Sequence, residues 1–240
     1  MKQLLLITDG CSNVGMNPVV AAAHAKEEGI TVNVIGVVER GESISSAEVE
    51  IEEIARAGGG MSRIVNTRQL SQTVQMMTRK TVVTTIQQAV NRELRQVFGA
   101  ESIEALPPER RGEVVRVIDE LGESSPLKVA LLIDASGSMR PKLPAVEEAI
   151  RDLVLSLQSR SGKSEIAVFH FPDSDDGEGC VLDLDWTDNI AGVKRILPKL
   201  QMRGTTPTGP AMMQVIDFFR RGDYGRTIRG ETDGMIGEDV

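Results

Sequence analysis

The chain has 240 residues, 40% of them apolar, enough to bury the core of one large domain or two small ones. A formal net charge of −8 and a pI near 5.0 exclude a general nucleic-acid binder, which needs a basic face to meet phosphates. No stretch approaches the length of a membrane span, and the apolar run behind Met1-Lys2 is too short for a signal peptide, so the expectation is a cytoplasmic protein with no membrane partner.

The predicted elements alternate. Residues 3–8 are a continuous apolar strand, followed by a Gly-Cys-Ser-Asn turn and a helix from about Pro18 to Glu28 that Gly29 ends. Thr31 to Val38 is a β-branched strand, Ser46 to Ala57 a helix with an acidic outer face, and Ser62 to Val65 a short strand before a helix from Thr67. Between about Lys80 and Ser125, Val83, Ile86, Val90, Leu94 and Val97 recur at helical spacing. Val114, Val117, Ile118 and Leu121 do so again after Pro107-Pro108, which predicts a helical connector folded back on itself. Then come a strand over Leu127–Ile133, an amphipathic helix over Leu143–Leu157, a strand pair over Glu165–Phe171 and Cys180–Asp185, and helices over Ile190–Leu200 and Thr208–Phe219. The Gly-rich, charged stretch after Gly222 has little to bury and reads as a mobile tail. Strands alternating with helices predict an α/β fold: a Rossmann-like, doubly wound, mostly parallel sheet covered on both faces, with the strand pair supplying one antiparallel edge.

The chemistry gathers at Asp134-Ala135-Ser136-Gly137-Ser138-Met139, directly after the apolar strand. One carboxylate and two hydroxyls at alternate positions are hard oxygen donors that converge on a small cation if the loop curls, and Gly137 is expected to permit the curl. This spelling resembles the first motif of the von Willebrand factor type A domain and its metal-ion-dependent adhesion site. Two further segments resemble the family's remaining pieces: Gly204-Thr205-Thr206-Pro207-Thr208-Gly209, with Thr206 in the ligand position, and Leu4-Leu5-Leu6-Ile7-Thr8-Asp9-Gly10, an apolar strand ending in Thr-Asp-Gly. The last piece comes first. The order implies a circular permutation, with residues 1–80 as the back half of the domain, 81–125 as the connector, 126–222 as the front half and 223–240 as the tail.

The resemblance implies a sheet of about six strands in which the strands bearing Asp9 and Asp134 are neighbours. It also implies that Ser136 and Ser138 bind Mg²⁺ or Mn²⁺ directly, Thr206 directly or through water, and that Asp134 and Asp9 act mainly by holding waters and supplying charge. Such a site leaves the cation electrophilic enough to take an Asp or Glu carboxylate from a protein partner. The function it points to is an intracellular, metal-dependent protein-binding module, a scaffold or regulator rather than an enzyme. The alternative is a metal-dependent hydrolase such as a phosphatase, against which stand Ser136 where a second Asp is wanted and the lack of a general base. The opening Ile7-to-Asn13 segment further resembles short cytoplasmic members of the family from spore-forming bacteria, which implies a setting near sporulation and kinase functions. The halves are compatible with a monomer or a swapped homodimer.

Other constellations carry less. Asp173-Ser174-Asp175-Asp176-Gly177-Glu178 lacks the alternating ligands of a calcium loop and reads as an acidic hairpin turn. His24 and His170 have no nucleophile beside them and read as structural, Cys11 as a bystander thiol, and Cys180 as core.

Overall fold

Alternate residues of a strand point to opposite faces, and in the first strand both directions are buried: Leu5 and Ile7 join one core, Leu4 and Leu6 another. That double burial explains why its sequence is continuously apolar rather than alternating. The computed structural model describes residues 1–39, 45–98, 103–173, 179–189 and 205–232. Within them, β1 (Lys2–Thr8), β2 (Ile30–Val38), β3 (Gly59–Asn66), β4 (Leu127–Asp134), β5 (Ser164–Phe171) and β6 (Val181–Thr187) form one sheet in the order β3-β2-β1-β4-β5-β6. All neighbours pair in parallel except β5 and β6, which are antiparallel at the edge. The fold is Rossmann-like, as expected.

Helices α1 (Pro18–Glu27), α2 (Ser45–Ala57) and α6 (Thr208–Thr232) are three of those covering the sheet. Buried residues of all three join Leu4, Leu6, Ala130 and Leu132 in one core. Against the opposite face pack α3 (Leu70–Phe98), α4 (Pro108–Ser124) and α5 (Leu143–Gln158), in a core built on Leu5, Ile7, Leu131 and Ile133. The amphipathic stripe of α5, Val146, Ile150, Leu153 and Leu157, lies wholly inside it.

Two boundaries differ from expectation. Residue 80 falls inside α3, because Leu70, Val74, Met77, Val82, Ile86 and Leu94 form one uninterrupted buried stripe with no Gly or Pro to break it. The connector is thus continuous with the helical layer, and Ile118 of α4 is buried in the same core. At the other end, α6 runs on past Phe219 to Thr232, so residues 223–232 are helical rather than tail. Nothing in the turns after Phe219 is a proline, and glycines only weaken a helix. The helix expected over 190–200 and the acidic turn over 174–178 lie outside the described residues; beside the latter, the Asp173 backbone N–H donates to the Gly179 carbonyl.

Candidate metal centre

β1 and β4 lie side by side, Ile7 opposite Ile133, although 126 residues separate them in sequence. From this pair the strand order runs outward in both directions, to β3 on one side and β6 on the other. Beyond the carboxyl ends of strands at such a reversal lies the usual ligand crevice of an open α/β sheet. Both strands end there in a carboxylate, β4 with Asp134 and β1 in the residue that follows it, Asp9.

Asp134 is fully buried. Its Oδ2 accepts the Thr8 hydroxyl at 2.6 Å and its Oδ1 the Ser136 backbone N–H at 2.8 Å. Burial pushes its pKa upward, the two hydroxyl and amide donors oppose the shift, and the charge of Asp9 adds to it. Ser136 and Ser138 hydroxyl oxygens stand 3.1 Å apart, and Ser138 donates to Asp9 Oδ1 at 2.9 Å. The other oxygen of Asp9, Oδ2, accepts from the Lys142 ammonium at 2.7 Å, with both side chains almost completely buried.

Thr206 reaches this edge through the loop that follows Asp9. Its backbone N–H donates to the Asn13 side-chain oxygen at 2.8 Å, and its carbonyl accepts from the Asn13 backbone N–H and the Ser12 hydroxyl, both at 3.2 Å. Glu50 on α2 steadies the same loop by accepting the Ser12 N–H at 2.8 Å. Two glycines make the approach possible. Gly15 sits in the left-handed region at φ 82°, and a Cβ on Gly209 would lie 2.0 Å from the Met16 carbonyl oxygen. Gly137, by contrast, has an unstrained φ and open space where a Cβ would stand, so the curl after Asp134 does not draw on its freedom. A 3₁₀ turn over Gly137–Lys142 makes the bend instead, with the Met139 N–H donating to the Ser136 carbonyl at 3.0 Å.

The donors suit a hard cation. Ser136 Oγ, Ser138 Oγ and Asp9 Oδ1 form a row of oxygens joined by hydrogen bonds of 3.1 and 2.9 Å, the kind of donor that magnesium prefers. Among the described residues no cluster of three or more His, Cys, Asp or Glu side chains could hold a metal, so neutral hydroxyls must supply much of any coordination here. Of the expected ligands, Asp134, Ser136, Ser138 and Asp9 form one hydrogen-bonded chain completed by Thr8, while Thr206 is tied in through its backbone. Thr8, Ser12, Asn13 and Lys142 carry roles that sequence reading missed. Thr8 was visible as part of the Thr-Asp-Gly turn, whereas nothing in the spelling marks Lys142.

The remaining candidates take structural places. His170 pairs with Asp183 across the antiparallel strands at 2.7 Å, and His24 lies 3.7 Å from Glu27 one turn along α1. Cys11 and Cys180 are free and partly buried, and burial pushes the Cys180 thiol up to about 12. Among the described residues no helix is long and apolar enough to cross a membrane.

The chain is similar to YabS of Bacillus subtilis (strain 168), described as uncharacterized: 49% identical over 240 residues, covering all of this chain and 94% of that protein. A crystal structure of an uncharacterized protein from Alicyclobacillus acidocaldarius subsp. acidocaldarius DSM 446 matches with a TM-score of 0.85 at 43% identity, over 95% of this chain and 96% of the other. No protein-family profile matches.

Proposed function

We propose that this chain, which belongs to the family of Bacillus subtilis YabS, is a cytoplasmic protein-binding module of von Willebrand A type that works through a divalent cation. Ser136, Ser138 and Thr206 are its direct ligands, Asp134 and Asp9 hold its waters and supply charge, and Mg²⁺ or Mn²⁺ is the ion. The observation that carries this reading is the contact of Ser138 with Asp9 at 2.9 Å, which joins the two motif strands from opposite parts of the chain at the reversal of strand order.

A circularly permuted domain accounts for that meeting. The Asp9 strand precedes the Asp134 strand by more than a hundred residues, yet the two are parallel neighbours. A bound cation supplies an open coordination position for an acidic side chain of a partner. The protein's own groups do the rest: Asp134, fixed by Thr8 and the Ser136 amide, anchors the loop, and Ser12 and Asn13 hold Thr206 to the turn that follows Asp9. The role assigned to the module is that of a scaffold or regulator.

Calorimetric titration with MgCl₂ and MnCl₂ tests the reading, with partner capture compared in Mg²⁺ and in EDTA. Asp134→Ala is expected to lose both cation uptake and capture while keeping its circular dichroism spectrum. Capture that persists in EDTA, or turnover of a phosphate ester that disappears with Asp134→Ala, would replace it with a metal-independent binder or a hydrolase.

A further inference from the structure

Lys142 is a fully buried ammonium beside a candidate cation site, an arrangement that works against cation binding on simple electrostatics. Taking an ammonium out of water costs several kcal/mol unless an opposite charge and hydrogen bonds compensate it. Here Asp9 Oδ2 compensates it at 2.7 Å. The carboxylate is thereby divided: Oδ2 faces Lys142, and Oδ1 faces Ser138 and the row of hydroxyls. Lys142 ends the 3₁₀ turn that starts at Gly137, so a single short segment supplies both the Ser138 hydroxyl and the ammonium.

We infer that Lys142 is a built-in counter-charge that holds the site's cation affinity down and leaves the bound cation with net positive charge for an acidic partner group. The inference rests on the cation-binding reading above. Among the described residues that are hydrogen-bonded in this chain of oxygens, the carboxylates of Asp134 and Asp9 and the Lys142 ammonium sum to one net negative charge, which a divalent ion would turn to one net positive charge. Without Lys142 the loaded site would be neutral and would attract a carboxylate less. Lys142 is also a positioning residue, because its bond to Oδ2 turns Oδ1 toward Ser138.

Lys142→Met removes the charge and keeps the length of the side chain. Calorimetry with MgCl₂ and MnCl₂ at fixed ionic strength should show this variant binding about tenfold or more tightly than wild type, since a unit charge several ångströms from a divalent ion is worth at least that at an effective dielectric near 20. Lys142→Arg should bind as wild type does. Acetate, as a stand-in for the partner's carboxylate, should bind the Mn²⁺-loaded Lys142→Met protein several-fold more weakly than loaded wild type. If the single variant does not fold without metal, Lys142→Gln, which removes the charge but keeps a donor for Asp9 Oδ2, is titrated in its place and should show the same tightening. Wild-type or weaker cation affinity in a folded Lys142→Met protein overturns the role of Lys142 alone. Failure of wild type to take up any divalent ion overturns the cation-binding reading, and this inference with it.

Discussion

The two ends of the sheet use their polar groups differently. At the amino ends of β1, β4 and β5, donors and acceptors are consumed in joining chain segments. The Met1 ammonium donates to the Pro126 carbonyl at 2.7 Å, and the Gly162 N–H donates to Glu123 at 2.8 Å. The Arg160 guanidinium donates to the carbonyls of Gly122 and Ser125 and to the Ser164 hydroxyl, at 2.6, 3.0 and 2.6 Å. At the carboxyl ends the polar atoms are side-chain oxygens, and Ser138 at their head is exposed. Backbone groups and the Arg160 side chain at the first end close the fold. The oxygens at the second are held in place by one another and by buried charge, which is how a sheet keeps reactive polarity at one edge without losing the other.

Variants at the two ends should therefore separate stability from cation binding. The largest loss of stability is expected from Arg160→Ala, about 3 kcal/mol for three charge-assisted bonds at a partly exposed site, read by urea denaturation. About 20 Å of strand separates it from the carboxyl edge, so cation affinity should not change. A parallel fall in affinity would break the contrast. Gly209→Ala comes next, at about 2 kcal/mol, because its Cβ would meet the Met16 carbonyl. Unlike the first, it should also weaken cation uptake by displacing the loop that carries Thr206. Smallest is Asp134→Asn, expected to raise the stability of the metal-free protein by about 1 kcal/mol while abolishing cation uptake. The sign follows from burial, which raises the folded-state pKa of Asp134 above its unfolded value. The charged carboxylate costs stability above that folded pKa, and the cost fades as pH falls through it toward the unfolded value. The gap between wild type and Asp134→Asn should accordingly close on acidification, and a gap that widens would reverse the assignment.

Much of this architecture is readable without coordinates. Continuous apolar runs such as Leu4–Ile7 and Val129–Ile133 announce strands buried on both faces, and the polar-spaced Val181–Thr187 announces an edge. Asp134, Ser136 and Ser138 are hard donors at alternate positions after such a strand, but alone they suit an ordinary turn as well, and the Thr206 and Asp9 segments are what single them out. Lys142 was not legible, because a lysine after Pro141 looks like any surface lysine until its burial is known. Nor was the Asn13–Thr206 clamp, whose partners stand 193 residues apart. The motif order divides the chain near residue 80, while the helical spacing of buried residues runs across it from Leu70 to Leu94.

What the sequence determined by itself was local: which segments are strands, which faces of helices are apolar, and which loop carries hydroxyls and a carboxylate. These follow from side-chain period and backbone propensity, which act over a few residues. The neighbouring of β1 and β4 was implied by the family resemblance, and only the tertiary structure decided that Ser138 bonds to Asp9 and that the second oxygen of Asp9 meets a buried ammonium. Those contacts join residues 129 and 133 positions apart, and their energies depend on burial and distance, neither of which is defined until the sheet has formed.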